Sequence, residues 1–218
     1  MNRGRAERRG IKRGGRAERL VFTGHIAGIG TGAGVRMVVG AWLQSPFGRF
    51  ADVMVETADG RRTLLAPSDQ VAEFVSATYE FDSVEIGPVD VDHRVDGFSV
   101  SAPGLVVDAR LGGPARFDGL LRMVPGRLAS APAWLRMVDP VAARLIPGVR
   151  TAGSAGNGRR EYYGVRRSSR IAAVTGSFRG VDLGGLAPLD PPVRFGFSSA
   201  PSAPQMVSVT TTIDMPRA

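Results

Sequence analysis

The sequence predicts an α+β chain, mainly antiparallel β, forming a barrel or sandwich with one short helix after the first strands and a helical insertion near 127–147. Three observations predict it. Apolar and polar residues alternate with a period of two from residue 21 to 66. Gly, Pro, Asn and Asp punctuate these runs at short intervals. No regular strand–helix–strand alternation appears, which disfavours a parallel sheet.

The elements follow in order. Residues 21–28 read as a strand, the glycine-rich 28–34 as its turn, and 35–44 as the return strand. Ser45, Pro46, Phe47 and Gly48 form the next turn, before a third strand at 50–56. Asp59-Gly60 supplies the positive φ angles of a tight hairpin, and 61–66 pairs back. Residues 68–79 change period: Val71, Phe74, Val75 and Thr78 fall at i, i+3, i+4 and i+7 behind a Ser68/Asp69 cap, so this is an amphipathic helix. Alternation resumes at 83–91, 94–101 and 104–111, with a shorter run at 117–123. Residues 127–147 read as helical pieces broken at Pro132 and Pro140. A Gly/Ala/Ser-rich loop covers 151–158, and strands at 161–166, 170–178, 193–197 and 206–213 complete the chain. The expected shape is lipocalin-like in general outline, and a barrel of this kind can enclose a small ligand.

The chain has 218 residues and a formal net charge of +8. Residues 1–20 hold eight basic and two acidic side chains, a net of +6, which leaves +2 for the rest. The division expected is a disordered basic tail at 1–19 and a single β-rich domain at 20–218. Such a tail can bind nucleic acid or an anionic membrane by releasing counterions. No apolar run approaches about 18 residues, so no transmembrane helix is expected. The location expected is cytoplasmic, with peripheral membrane association through the tail as a further expectation.

Several chemistries are excluded. No cysteine is present, so there is no disulfide, thiolate nucleophile or cysteine zinc site. The two histidines, His25 and His93, rule out a three-histidine metal centre. The single lysine, Lys12, lies in the tail, and no Gly-Lys-Ser/Thr follows a glycine loop. Gly24, Gly28, Gly30, Gly32 and Gly34 contain fragments of a dinucleotide fingerprint, but Val35–Trp42 after them is β-patterned where a helix is required. Asp90, Asp92, His93 and Asp96 crowd together, yet strand alternation sends the carboxylates and the histidine to opposite sides. No cofactor and no metal are expected.

Asp52 and Glu56 are the candidate acid–base residues. They share a strand face with Phe50 and Met54. A turn centred near Pro46 and Phe47 sets Asp52 opposite Gly40 or Trp42, and Glu56 near Arg36 or Val38. A carboxylate beside Trp on an apolar wall has a raised pKa. The plain alternative is an outer sheet face with an Arg36–Glu56 pair. Arg159, Arg160, Arg166, Arg167 and Arg170, interleaved with Tyr162 and Tyr163, suit an anionic ligand or nucleic acid, or equally a solvated hairpin. Trp134, with Arg127, Arg136 and Arg144 nearby, suits a helical lid or a membrane-facing segment.

Residues Gly158, Arg159, Arg160, Glu161, Tyr162, Tyr163 and Gly164, running on to Arg166 and Arg167, faintly resemble the Gly-Arg-Glu strand of acetoacetate decarboxylases, which are also β-barrel proteins. In that family the strand runs into lysines, one of which forms a Schiff base with substrate. The matching positions here are Arg166 and Arg167, which cannot do that chemistry. The match covers about ten of 218 residues, so the sequence reading adopts no family.

The leading expectation is a barrel that holds a small apolar or amphipathic molecule, anchored by Arg36, Trp42, Tyr163 and Trp134. The alternatives are an enzyme using Asp52 or Glu56, and an interaction protein using its tail. Oligomeric state is not legible in the sequence.

Overall fold

The computed structural model describes residues 18–216 other than 147, 148, 194 and 197. Almost all of the expected tail therefore lies outside the described residues. Among the described residues, thirteen strands join into one strongly curled, mostly antiparallel sheet.

The first four strands are the expected meander: β1 (Arg19–Thr31), β2 (Arg36–Gln44), β3 (Phe50–Glu56) and β4 (Arg62–Ala66). Gly60 at φ 84° makes the β3–β4 turn where Asp-Gly marks it, but Asp59 does not share the positive φ, so the turn is not the primed type expected. Helix α1 (Asp69–Ser76) follows, and the Ser68 hydroxyl accepts from the Val71 N–H at its start. Strand β5 (Ser83–Ile86) pairs with β4 in parallel, which the helix between them permits. Strands β6 (Asp90–Arg94), β7 (Gly97–Ala102) and β8 (Leu105–Pro114) form a second meander. Three helices come next: α2 (Asp118–Met123), α3 (Gly126–Ala129) and α4 (Pro132–Leu145). Then come β9 (Ala152–Ser154), the long β10 (Arg160–Phe178), β11 (Val181–Asp182), β12 (Leu186–Ala187) and β13 (Gln205–Asp214). The main sheet order is β5-β4-β3-β2-β1-β13-β10-β8-β7-β6.

Several expectations need correction. Residues 117–123 are helical: Asp118, almost fully buried, accepts from the Ser168 N–H at 2.8 Å and from Arg167 at 3.2 Å, a tertiary anchor invisible in local alternation. Pro132 starts α4 at a position where no N–H is needed, and Pro140 sits inside α4 without ending it. The 94–101 segment contains the β6–β7 turn, so Asp90–Asp96 spans a hairpin arm and its tip. The expected strands at 161–166 and 170–178 are one strand with register slips near Val165 and Ile171. The described residues of 193–197 form no strand.

The central strands are buried on both faces. On one, Ile29, Met37, Val39, Val53 and Val55 meet Phe98, Val100, Val107 and Ala109 of the second meander. That is the main core. The other face carries Phe22, Ile26, Val38, Trp42, Asp52 and Met54, and helices with residues 193–201 cover it. β13 alternates likewise: Met206 packs on the core, whereas Val207, Val209 and Thr211 face the opposite side.

The glycine run has a packing explanation. The β1 strand continues to Thr31, well past the expected turn at Gly28. Residues 187–189 and Ala200 lie directly over it: a Cβ at Gly28 would come within 2.8 Å of the Ala200 side chain, and one at Gly30 would overlap the Pro188 carbonyl oxygen. Gly28 and Gly30 thus admit the close approach of a crossing chain. Gly30→Ala is expected to lower stability by roughly 2 kcal/mol in urea unfolding, because backbone must shift. Gly119→Ala, on α2 with no neighbour within 4 Å, is the control and is expected to be neutral or slightly stabilising.

Candidate binding cavity

The second face of the sheet encloses a cavity of about 290 Å³. Its walls come from alternate residues of β1, β2, β3, β10 and β13, closed over by α1, the end of α4, α2 and residues 198–201. The lining is largely apolar. At one end Phe22, Trp42, Phe50 and Phe74 pack ring to ring, with Phe22–Trp42 centroids 5.6 Å apart and Phe22–Phe74 5.5 Å. A larger cleft of about 760 Å³ opens beside it and shares Thr78, Tyr79, Val193, Phe195, Ser198 and Ser199 with it. The smaller cavity is the stronger candidate, because it is apolar-walled and the buried carboxyls converge on it.

Asp52 is the first of these. The register sets it opposite Gly40, one of the two partners (Gly40 or Trp42) that the turn at Pro46 and Phe47 allows. The Trp42 indole N–H donates to its Oδ1 at 3.0 Å. That bond needs the glycine, since a Cβ at Gly40 would lie 2.5 Å from the Asp52 oxygen and 2.8 Å from the indole nitrogen. Asp52 is 2% exposed and no cation bonds to it. Burial pushes its carboxyl up to about 7, and the Trp42 bond only partly opposes this.

Glu161 is the second. It is fully buried, on the β10 face that also carries Tyr163 and Val165. Its Oε2 lies 3.0 Å from the Tyr79 hydroxyl and 2.9 Å from the Tyr163 hydroxyl, and the two hydroxyls are 2.7 Å apart. Three oxygens thus make three close contacts. Two phenolic protons can fill only two of them, and a proton on Glu161 fills the third. The geometry suits the neutral acid. Burial raises the Glu161 pKa in the same direction, against the opposing bonds from Tyr163 and Tyr79 and the charge of Arg159. Burial first, then neighbouring charge, holds both phenols well above their ordinary value. The other oxygen, Glu161 Oε1, is buried with no hydrogen-bond partner, and so is the Thr211 hydroxyl on the same cavity wall.

The remaining candidates are dispersed. Glu56 lies opposite Arg36 as expected, and Arg36 donates to it at 2.9 Å in a buried ion pair. Arg36 also donates to the Pro191 carbonyl at 2.6 Å. Both residues therefore fasten the crossing segment to the sheet, outside the cavity lining. Trp134 packs with Leu135, Ala152 and Tyr162, also away from the cavity. Trp42 and Tyr163 are in the lining. The arginine cluster is split: Arg159 is buried over the Phe74 ring and bonds the Phe74 carbonyl and the Thr78 hydroxyl, whereas Arg166 and Arg167 are exposed. Asp139 holds Arg150 by two bonds and accepts from the Thr151 and Ala152 N–H groups, which fixes the chain leaving α4. Among the described residues no three acidic or histidine side chains gather to hold a metal. Nor is any described helix long and apolar enough to cross a membrane.

Glu161 and Tyr79 line the cavity and were not selected from the sequence. A signal existed for the first: Glu161, Tyr163 and Val165 share one strand face. None existed for Tyr79, which is 82 residues away.

No protein-family model matches this chain, and no curated protein matches it. Among solved structures, the crystal structure of acetoacetate decarboxylase from Legionella pneumophila is similar over 92% of this chain and 84% of that one, with 10% identity and a TM-score of 0.38. At that level no residue role is transferred from it.

The Asp52 carboxyl makes folding depend on pH. Its folded pKa lies above the unfolded value of 3.8, so the folded state holds the proton more tightly. The contribution of this group is greatest below 3.8 and is lost as pH rises to about 7, by roughly 4 kcal/mol at most. Asp52→Asn removes that decline. Its stability relative to wild type in urea is expected to improve between pH 4 and pH 8, and a constant difference would contradict the burial described.

Proposed function

We propose that the protein binds a small, largely apolar molecule with one polar end in the cavity between the sheet and its helical cover. One observation carries this reading: an apolar-walled cavity onto which two carboxyl groups without bound cations converge. Buried polar groups are ordinarily paired, and unpaired ones mark a place where something else supplies the partner. A proton-transfer enzyme is the second reading. It is supported by the Asp52 carboxyl, which titrates near neutrality, where a general acid or base is most effective. It uses the same cavity, and a pH-dependent turnover abolished by Asp52→Asn would establish it.

The binding reading is tested by ligand-observed NMR with 2-phenylethanol as probe. Wild type is expected to give saturable binding. Val207→Phe places a larger ring on the β13 wall of the cavity and is expected to weaken binding at least tenfold, with a melting temperature within a few degrees of wild type. Equal affinity in both proteins would locate the site elsewhere.

A further inference from the structure

The polar groups around the cavity are unbalanced in one direction. Most of its donors are already engaged. Trp42 donates to Asp52, and the Tyr79 and Tyr163 hydroxyls bond the Glu161 carboxyl. Arg150 gives its Nε and one of its two terminal nitrogens to Asp139. Thr78 donates to the Phe74 carbonyl, and Thr151 to the Leu135 carbonyl. Ser198 and Ser199 turn to backbone carbonyls. The neutral side chains of Ser168, Gln205 and Thr211 are the remaining donors in the lining. Acceptor capacity, in contrast, is left over. Among the described residues Trp42 is the one hydrogen-bond partner of the Asp52 carboxyl, and Glu161 Oε1 has none. A ligand that fits must bring donors.

The charges point the same way. The other titratable or charged groups around Asp52 in the cavity are Tyr79, Arg150, Glu161 and Tyr163. β1, β2, α1, α2, β13 and residues 198–201 contribute none to the lining. Arg150 is the cation among them, and Asp139 already neutralises it. An anionic ligand would therefore meet two carboxyl groups, whereas Arg159, whose charge reaches Glu161, lies over the Phe74 ring outside the lining, where it bonds the Phe74 carbonyl and the Thr78 hydroxyl. A ligand cation would meet a carboxylate in a low-dielectric site, where the attraction is strong. It would also meet aromatic faces. The Trp42 indole is bonded directly to Asp52, and Phe22 and Phe50 flank that indole at centroid distances of 5.6 and 6.4 Å. Aromatic rings beside a carboxylate are suited to an ammonium group.

We infer that the cavity takes an amphipathic organic cation, an ammonium group on an apolar body, with the Asp52 carboxylate as its counter-ion and Trp42 as the adjoining aromatic face. This rests on the cavity-binding reading above and narrows its ligand class. It also sets the sign of a pH dependence. The empty site favours the protonated carboxyl, and the cation requires the carboxylate, so binding below neutrality releases a proton from Asp52. Affinity rises with pH and levels off above about 7.

The test is isothermal titration of the full-length protein with three probes of one shape: 2-phenylethylammonium, 2-phenylethanol and 3-phenylpropionate. At pH 8 the ammonium is expected to bind at least tenfold more tightly than the alcohol, with the carboxylate weakest. At pH 5 the ammonium, still fully protonated, is expected to bind more than tenfold more weakly than at pH 8. In Asp52→Asn the ratio of ammonium to alcohol affinity is expected to fall close to one. An alcohol or carboxylate that equals the ammonium in wild type overturns the inference and leaves the cavity reading standing. So does an ammonium preference that survives in Asp52→Asn. Failure of all three probes to bind wild type overturns both.

Discussion

A strand of nineteen residues cannot stay flat or keep to one neighbour, and β10 does neither. Sheet twist and three register slips carry it from one layer of the molecule to the other. Its first half pairs with β9 and β13 and delivers Glu161 and Tyr163 to the cavity. Its second half pairs with β8 and β11 and delivers Ile171, Val174 and Phe178 to the main core. Asp118 clamps the junction by accepting from the Ser168 backbone, which draws α2 onto the strand where the register slips. Position, curvature and helical cover of the cavity all depend on this one run of backbone pairing.

The two-faced burial of the central strands explains why the cavity is chemically unusual. A sheet with one wet face places its carboxylates in water, where they need no partner. Here Asp52 and Glu161 occupy strand positions that ordinarily face solvent, and the helices and the 187–201 crossing segment remove that solvent. Elsewhere the fold handles buried charge differently. Glu56 receives Arg36, Asp118 receives Arg167 and a backbone N–H, and Asp139 receives Arg150 and two backbone N–H groups. These three are structural ties. The contrast with Asp52, which has only a neutral indole, is what separates a site from a strut.

Local alternation made the first meander legible and narrowed its register: the turn near Pro46 and Phe47 left Asp52 opposite Gly40 or Trp42 and Glu56 near Arg36 or Val38, and the structure pairs Asp52 with Gly40 and Glu56 with Arg36. Helix α1 was legible from its cap and period. Features set by distant segments were not. Residues 117–123 alternate like a strand and are drawn into a helix by an anchor fifty positions away. The Arg36–Glu56 pair has the sequence signature of an exposed cross-strand bridge, yet it is buried because the Pro191 carbonyl closes over it. Glu161 looks like an interruption in a basic run. Only the arrival of Tyr79 from the end of α1 makes it part of a site. The site was half visible: the Trp42–Asp52 half is local to one hairpin, and the Tyr79–Glu161 half is a product of topology.

The sheet is curled without being cyclic, so it has ends. Among the described residues β6 is one of them, and it carries Asp90, Asp92 and Arg94 within five residues. A free strand end is a template for another chain, and side-chain charge is one of the ways to spoil it. The acidic crowding that suggested metal ligands thus acquires a colloidal meaning. Charged side chains along such a margin are one of the devices that discourage a sheet edge from pairing with another chain.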